Sequence, residues 1–180
     1  MTDDFGVGMG DSFAAGEAAP RAAEKHPEVL SIEDIITFRL RRLVLIGERE
    51  GHLWSNALFD LSLNEWRVLA LVVARAPARA ADIAEFLLMD KSQTSRLVKS
   101  LAGKGLITML EDSADRRAHV LELTVQGAEV YHGMMAEVLR SNEEVLAPLS
   151  KDEVAVFSGM LQRLIDHNFA ILQGRISTGE

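Results

Sequence analysis

The sequence predicts a mainly α-helical fold with one small β-hairpin, and three observations carry that prediction. Apolar residues recur at helical spacing over most of the chain from Ser31 onward. Ser, Thr or Asp stands where helix N-caps are needed, at Ser31, Ser62, Asp90, Thr124 and Ser150. The period shortens to that of a strand only once, between Gly105 and Thr124.

In chain order, Ile32, Ile35, Ile36, Leu40, Leu43 and Val44 share one face of a long first helix, with Ser31 and Asp34 as its cap pair. "SLNEWRVLALVVA" opens on a Ser-x-x-Glu capping box (Ser62, Glu65), buries Trp66, Leu69, Ala70 and Val73, and stops before Pro77. "AADIAEFLLM" is a short third helix with Ile83, Phe86 and Leu87 on one side. Asp90 to about Gly103 forms a fourth, closed by Gly103 and Gly105. "LITMLE" and "AHVLELT" then read as the two strands of a hairpin around the turn-forming "DSADRR". Thr124 caps a fifth helix that Pro148 halts, and Ser150 with Glu153 opens a last one with Val154, Phe157, Leu161, Leu164, Ile165 and Ile171 inward.

Composition narrows the function classes. At 180 residues and 48% hydrophobic the chain suits one globular domain over 31–175, preceded by a disordered Gly/Ala/acid-rich tail over 1–30. No apolar run reaches the roughly 20 residues of a membrane span, and acids stand where a signal peptide has Lys or Arg, so a cytoplasmic protein is expected. The absence of cysteine removes thiolate catalysis and Cys-ligated zinc. The five histidines form no local ligand pair, so neither a metal site nor a cofactor is expected. No Ser-His-Asp arrangement, phosphate loop or paired-carboxylate cleft can be assembled from local sequence, so no enzyme is expected either.

Net charge is −8, yet its distribution is uneven. Residues 79–120 hold seven Lys or Arg against six Asp or Glu, and 91–104 hold four cations (Lys91, Arg96, Lys99, Lys104) and no acid. On a helix over this stretch, Leu97, Val98 and Leu101 dock inward, while Ser92, Gln93, Arg96, Lys99 and Ser100 lie on other faces. A short helix, a tight turn and a second helix with base-capable residues near its start is a helix-turn-helix, whose second helix enters the major groove of double-stranded DNA. The hairpin adds a wing with Arg116 and Arg117 at its tip, suited to a narrow minor groove, and with Asp115 placed to hold an arginine. The competing reading is a winged-helix adaptor that docks proteins and binds no DNA; it leaves the acid-free helix unexplained.

"LSLNEWRVLALV", "ADIAEFLLMDKSQTSRLVKSLAGKGLI" and "EDSADRRAHVLELTVQGAEV" resemble the winged helix-turn-helix core of MarR-family transcriptional regulators, including the Asp-Arg-Arg wing and the Leu-Thr-x-x-Gly that opens the next helix. The resemblance implies a core over about 60–124 and dimerisation helices over about 31–55 and 125–173. It also implies a homodimer, and probing of a pseudo-palindromic operator by two recognition helices. By position it assigns Ser92, Gln93, Thr94, Arg96 and Lys99 to the recognition helix and Asp115 and Arg117 to the wing. Long apolar stripes on the first and last helices give the dimer a physical basis of its own, since a core of about 75 residues offers little surface to cover both.

The family further implies an effector pocket between the dimerisation helices and the DNA-binding lobe. Arg39 interrupts an apolar stripe and must be paired or bind something, an intrachain or intersubunit ion pair on one reading and a small anionic or aromatic effector on the other. His52 and Trp54, with Trp66 one helix later, gather near where such a pocket opens; the tryptophans suit core packing as well as a ligand. The whole describes a ligand-responsive homodimeric repressor.

Overall fold

The computed structural model describes residues 29–111 and 119–178. The tail expected over 1–30 therefore lies outside the described residues but for its last two, and so does the wing tip with Asp115, Arg116 and Arg117. The chain divides into a unit that ends at Arg49 and a second that begins at Glu50.

In the first unit, the Ser31–Asp34 pair does form a capping box, but on a 3-10 turn of its own, Ile32–Asp34. The Asp34 carboxylate folds back to accept from the backbone N–H of Ser31 at 3.0 Å and of Leu30 at 3.1 Å. Ile35 is extended, with φ −73° and ψ 120°, so the long helix α1 (Ile36–Phe59) begins only after it. The expected single helix from Ser31 is thus a turn, a break and a helix, because the cap closes on itself. Ile32, Ile35, Ile36, Leu43 and Val44 are all exposed.

The second unit is built around α2 (Leu63–Ala74), whose capping box is as expected: Ser62 Oγ accepts from Glu65 N–H at 3.2 Å, and Glu65 Oε2 accepts from Ser62 N–H at 2.8 Å. Trp66, Val68, Leu69, Leu71 and Val72 are buried, whereas Val73, expected inside, is exposed. A helix covered on more than one side buries more than one stripe, and the last turn before Pro77 leaves the core. After α2 come β1 (Ala78–Arg79), α3 (Ala80–Phe86), α4 (Lys91–Gly103), β2 (Ile107–Glu111) and β3 (His119–Leu123).

The hairpin pairs Ile107 with Leu123 and Glu111 with His119, and β1 adds a third antiparallel strand through Ala78 and Leu121, in the order β1-β3-β2. Two residues are too few for an alternating signal, so this strand has no counterpart in the sequence reading. Leu61, Leu69, Ile83, Leu101, Leu121 and Met134 are fully buried and join α2, α3, α4, the sheet and α5 (Val125–Leu146) in one core. Burial of each large aliphatic contributes about 1.5–3 kcal/mol. Phe86, expected inward, is exposed, and the Arg75 guanidinium lies 4.0 Å over its ring.

The last helix, α6 (Lys151–Thr178), starts at the expected Ser150/Glu153 box, with Glu153 Oε2 accepting from Ser150 N–H at 2.8 Å. None of its residues is buried in the single chain. Phe157, Leu164, Ile165 and Ile171, expected inward, are all exposed. No described helix is long and apolar enough to cross a membrane.

Candidate nucleic-acid interface

Helix α4 is set by a cap at each end. At its start the Asp90 carboxylate accepts from Gln93 N–H at 2.7 Å and from the Ser92 hydroxyl at 2.6 Å. The Ser92 hydrogen bond, then that of the Gln93 amide, and the nearby Arg96 charge hold the Asp90 carboxyl below its ordinary value. The one acid beside the basic stretch is therefore consumed in starting the helix. At the other end Gly105 takes φ +72°, with Gly105 N–H donating to Ala102 O and Leu106 N–H to Leu101 O, both at 3.0 Å. This is the Schellman closure, and it turns the chain sharply into β2.

The turn before α4 closes in the same way: Leu88 N–H donates to Glu85 O at 3.2 Å and Met89 N–H to Ala84 O at 2.9 Å. Here the left-handed position is held by Leu88, at φ +52°, rather than by glycine.

Val98 and Leu101 enter the core, with Leu97 packed against it, so the opposite face of α4 is presented to solvent. Lys91, Ser92, Arg96 and Lys99 are exposed there and Gln93 is half-buried beside them. Thr94 is the exception among the expected contacts. It is 1% exposed and its hydroxyl donates to Asp90 O at 3.2 Å, so its side chain packs the helix against the core and is not available to a groove. Ser92 is narrowed in role: with its proton given to Asp90, it remains an acceptor only.

Two residues of the basic stretch are engaged inside the molecule. Ser100 Oγ donates to Glu65 Oε1 at 2.7 Å, and the Lys104 ammonium stands 3.3 Å from the same oxygen. Lys104 also donates to the carbonyl of Asp60. Burial works to raise the Glu65 carboxyl, but the hydrogen bonds from Ser100, Ser62 and Lys104 outweigh it and hold it below its ordinary value. The sequence shows Glu65 as a cap; its second role spans 35 and 39 positions and has no local signature. The available signal is an acid among buried apolar residues, which must find partners.

Of the expected effector residues, Arg39 belongs to the first unit and His52, Trp54 and Trp66 to the second. Arg39 is exposed and locally paired, donating to Glu33 O at 2.6 Å and to Asp34 Oδ1 at 3.1 Å, which is the intrachain ion pair of the two readings. His52 is exposed. Trp66 is buried and stacks on Tyr131 with centroids 5.7 Å apart. Trp54 packs against the same core, and its indole N–H, like the hydroxyl of the buried Ser55, has no hydrogen-bond partner among the described residues.

Residues 59–118 match the sequence model of the MarR family. The uncharacterized HTH-type transcriptional regulator YfiV of Bacillus subtilis (strain 168) is 25% identical over 142 residues, covering 77% of this chain and 89% of its own length. Among solved structures, the PcaV transcriptional regulator of Streptomyces coelicolor, in complex with its natural ligand, is 26% identical with a TM-score of 0.63, covering 78% of this chain and 98% of its own. The MarR protein of Peptoclostridium difficile DA00132 shares the fold at a TM-score of 0.71 and 19% identity, over 81% of this chain and 94% of its own. A capped helix with an outward basic face beside a three-stranded sheet agrees with these likenesses: over residues 59–118, and in fold, the chain is similar to DNA-binding transcriptional regulators of the MarR family.

Proposed function

We propose that the protein is a cytoplasmic, homodimeric, ligand-responsive repressor that places one α4 in each of two major grooves about 10 base pairs apart. The observation that carries the DNA contact is the outer face of α4. It bears exposed Lys91, Arg96 and Lys99, and Asp90, the acid that opens the stretch, is spent on the cap. Arg96 forks onto a guanine edge, Gln93 and Ser92 serve as base-edge partners, and Lys91 and Lys99 contact phosphate. In this reading Ser92 meets a donor, the amino group of cytosine or adenine, because it has only acceptor capacity left. Arg116 and Arg117 enter the adjacent minor groove with Asp115 as their partner.

Exposed apolar residues along α1 and, separately, along α6 support the homodimer. The effector role rests on Trp54 and Ser55, whose buried, unpaired N–H and O–H each cost about 1–3 kcal/mol without a partner, and on the ligand-bound state of the similar PcaV. A small anionic or aromatic molecule suits such donors; His52, Trp66 and, in the first unit, Arg39 are the further candidates for its contacts. Binding would shift the population away from the spacing that fits successive grooves.

The test is fluorescence anisotropy with the chain's own upstream DNA, in a salt series against a scrambled duplex. Expected are sequence-dependent binding with a steep negative salt slope, two subunits per duplex, and a loss of about 1–3 kcal/mol with relaxed specificity at one position for Arg96→Ala. Binding that shows neither salt dependence nor preference, on this duplex and on pools of random sequence, overturns the reading in favour of the adaptor.

A further inference from the structure

The basic stretch holds four cations, but they are not placed alike. Lys91, Arg96 and Lys99 are exposed on α4. Lys104 sits just past its last turn, with its ammonium 3.3 Å from Glu65 Oε1, 3.8 Å from Asp60 Oδ2 and bonded to the Asp60 carbonyl. Glu65 is 7% exposed and belongs to the first turn of α2, while Asp60 lies in the connection from α1 to α2 with φ +51°. Ser100, one turn earlier on α4, donates to the same Glu65 oxygen. Two residues from one end of α4 therefore converge on one buried carboxylate that is itself fixed by the Ser62 cap.

Moving Lys104 toward a phosphate would strip the buried Glu65 of its counter-charge, which is far more costly than losing one solvent-screened contact. The latch also has leverage. From Lys104 to Gln93 is about 16 Å along the helix, so a tilt of about 5° at the latch moves the reading end by about 1.4 Å, enough to break a bidentate hydrogen bond.

We propose that Glu65 and Lys104 are positioning residues that set the angle of the recognition helix, and that Lys104 is not a phosphate contact. The proposal rests on the DNA-binding reading of α4. It separates two properties that an ordinary basic residue moves together, the salt slope and the specificity.

The experiment uses the full chain and a duplex selected from a random-sequence pool by the wild-type protein, with the active fraction titrated first. Lys104→Met and Glu65→Gln are compared with wild type; Gln preserves the capping box. Expected are a fall of about tenfold in the ratio of selected to scrambled affinity for each variant, and an unchanged salt slope on the scrambled duplex. The double variant should be no worse than the poorer single one, as for two ends of one contact. A scrambled-duplex slope shallower by about one unit for Lys104→Met, or a specificity ratio that holds, overturns the proposal. If circular dichroism shows the Met variant unfolded, Lys104→Gln, which retains a donor for the Asp60 carbonyl, replaces it under the same criteria. Failure of the wild type to select any duplex overturns the DNA-binding reading itself, and is distinguishable from failure of the latch.

Discussion

At Gly127 the absence of a side chain is a packing requirement. A Cβ there would stand 1.9 Å from the Leu106 carbonyl oxygen, a backbone atom with little room to move. Thr124 accounts for the rest of the Leu-Thr-x-x-Gly motif: its hydroxyl accepts from Gly127 N–H at 2.9 Å and donates to Gly105 O at 2.7 Å, while its own N–H reaches Leu106 O. Gly127→Ala should cost about 1–3 kcal/mol and lower the thermal midpoint by several degrees. Gly133→Ala meets only the edge of the Phe59 ring, at 2.8 Å, and that side chain can rotate aside, so its midpoint should fall less. Equal midpoints for the two variants would refute the argument. The sequence displays this motif as a pattern without its reason, because Leu106 and Gly127 meet only once the strand pair has formed. Thr94 and Phe86 mislead for a related cause: spacing gives the face of a helix, but which neighbour covers it is decided by the tertiary structure.

At the scale of elements, caps and breaks were the most legible part of the chain. Ser62, Asp90, Thr124 and Ser150 all start helices where local chemistry places them, since a cap needs only its own next three residues. Ser31 shows the limit: the same chemistry caps a turn, and Ile35 determines that the helix waits. The turn between α3 and α4 carries its own test. Leu88 pays the steric cost of the left-handed region while 67% exposed, so Leu88→Gly removes strain and little burial, and should raise the thermal midpoint. A lowered midpoint would show that the Leu88 side chain contributes more than the strain it carries.

The carboxylates of Asp90 and Glu65, both held below their ordinary values in the fold, give a pH dependence with a definite sign. Their stabilisation is complete above the unfolded-state range and is lost as pH falls below about 4 and these groups are protonated. Thermal midpoints of wild type and Asp90→Asn across pH 7 to 3 should converge toward the acid end, because Asn caps without a titratable charge. Parallel curves would remove Asp90 from the acid response.

For the whole molecule, the apolar stripe of α6 was legible but its direction was not. Phe157, Leu164 and Ile165 were expected inward, on a stripe that a second subunit was expected to help cover, and in the single chain they are exposed at 37%, 48% and 52%. Periodicity reports that a face avoids water; it carries no information on whether the same chain or a second copy covers it. If a second copy does, Ile165→Glu should convert the protein to monomers in sedimentation velocity. It should also weaken operator binding more than a hundredfold, since each half-site would then bind alone. A variant that stays dimeric with full affinity would place the interface elsewhere.

The join at Leu106 has a mechanical meaning. Its N–H closes the end of α4, and its carbonyl accepts from Thr124 and faces Gly127 at the start of α5, with no space for a side chain between them. The end of α4 and the head of α5 are therefore welded through one peptide, without slack. A torque that travels down α5 turns α4 instead of being absorbed on the way.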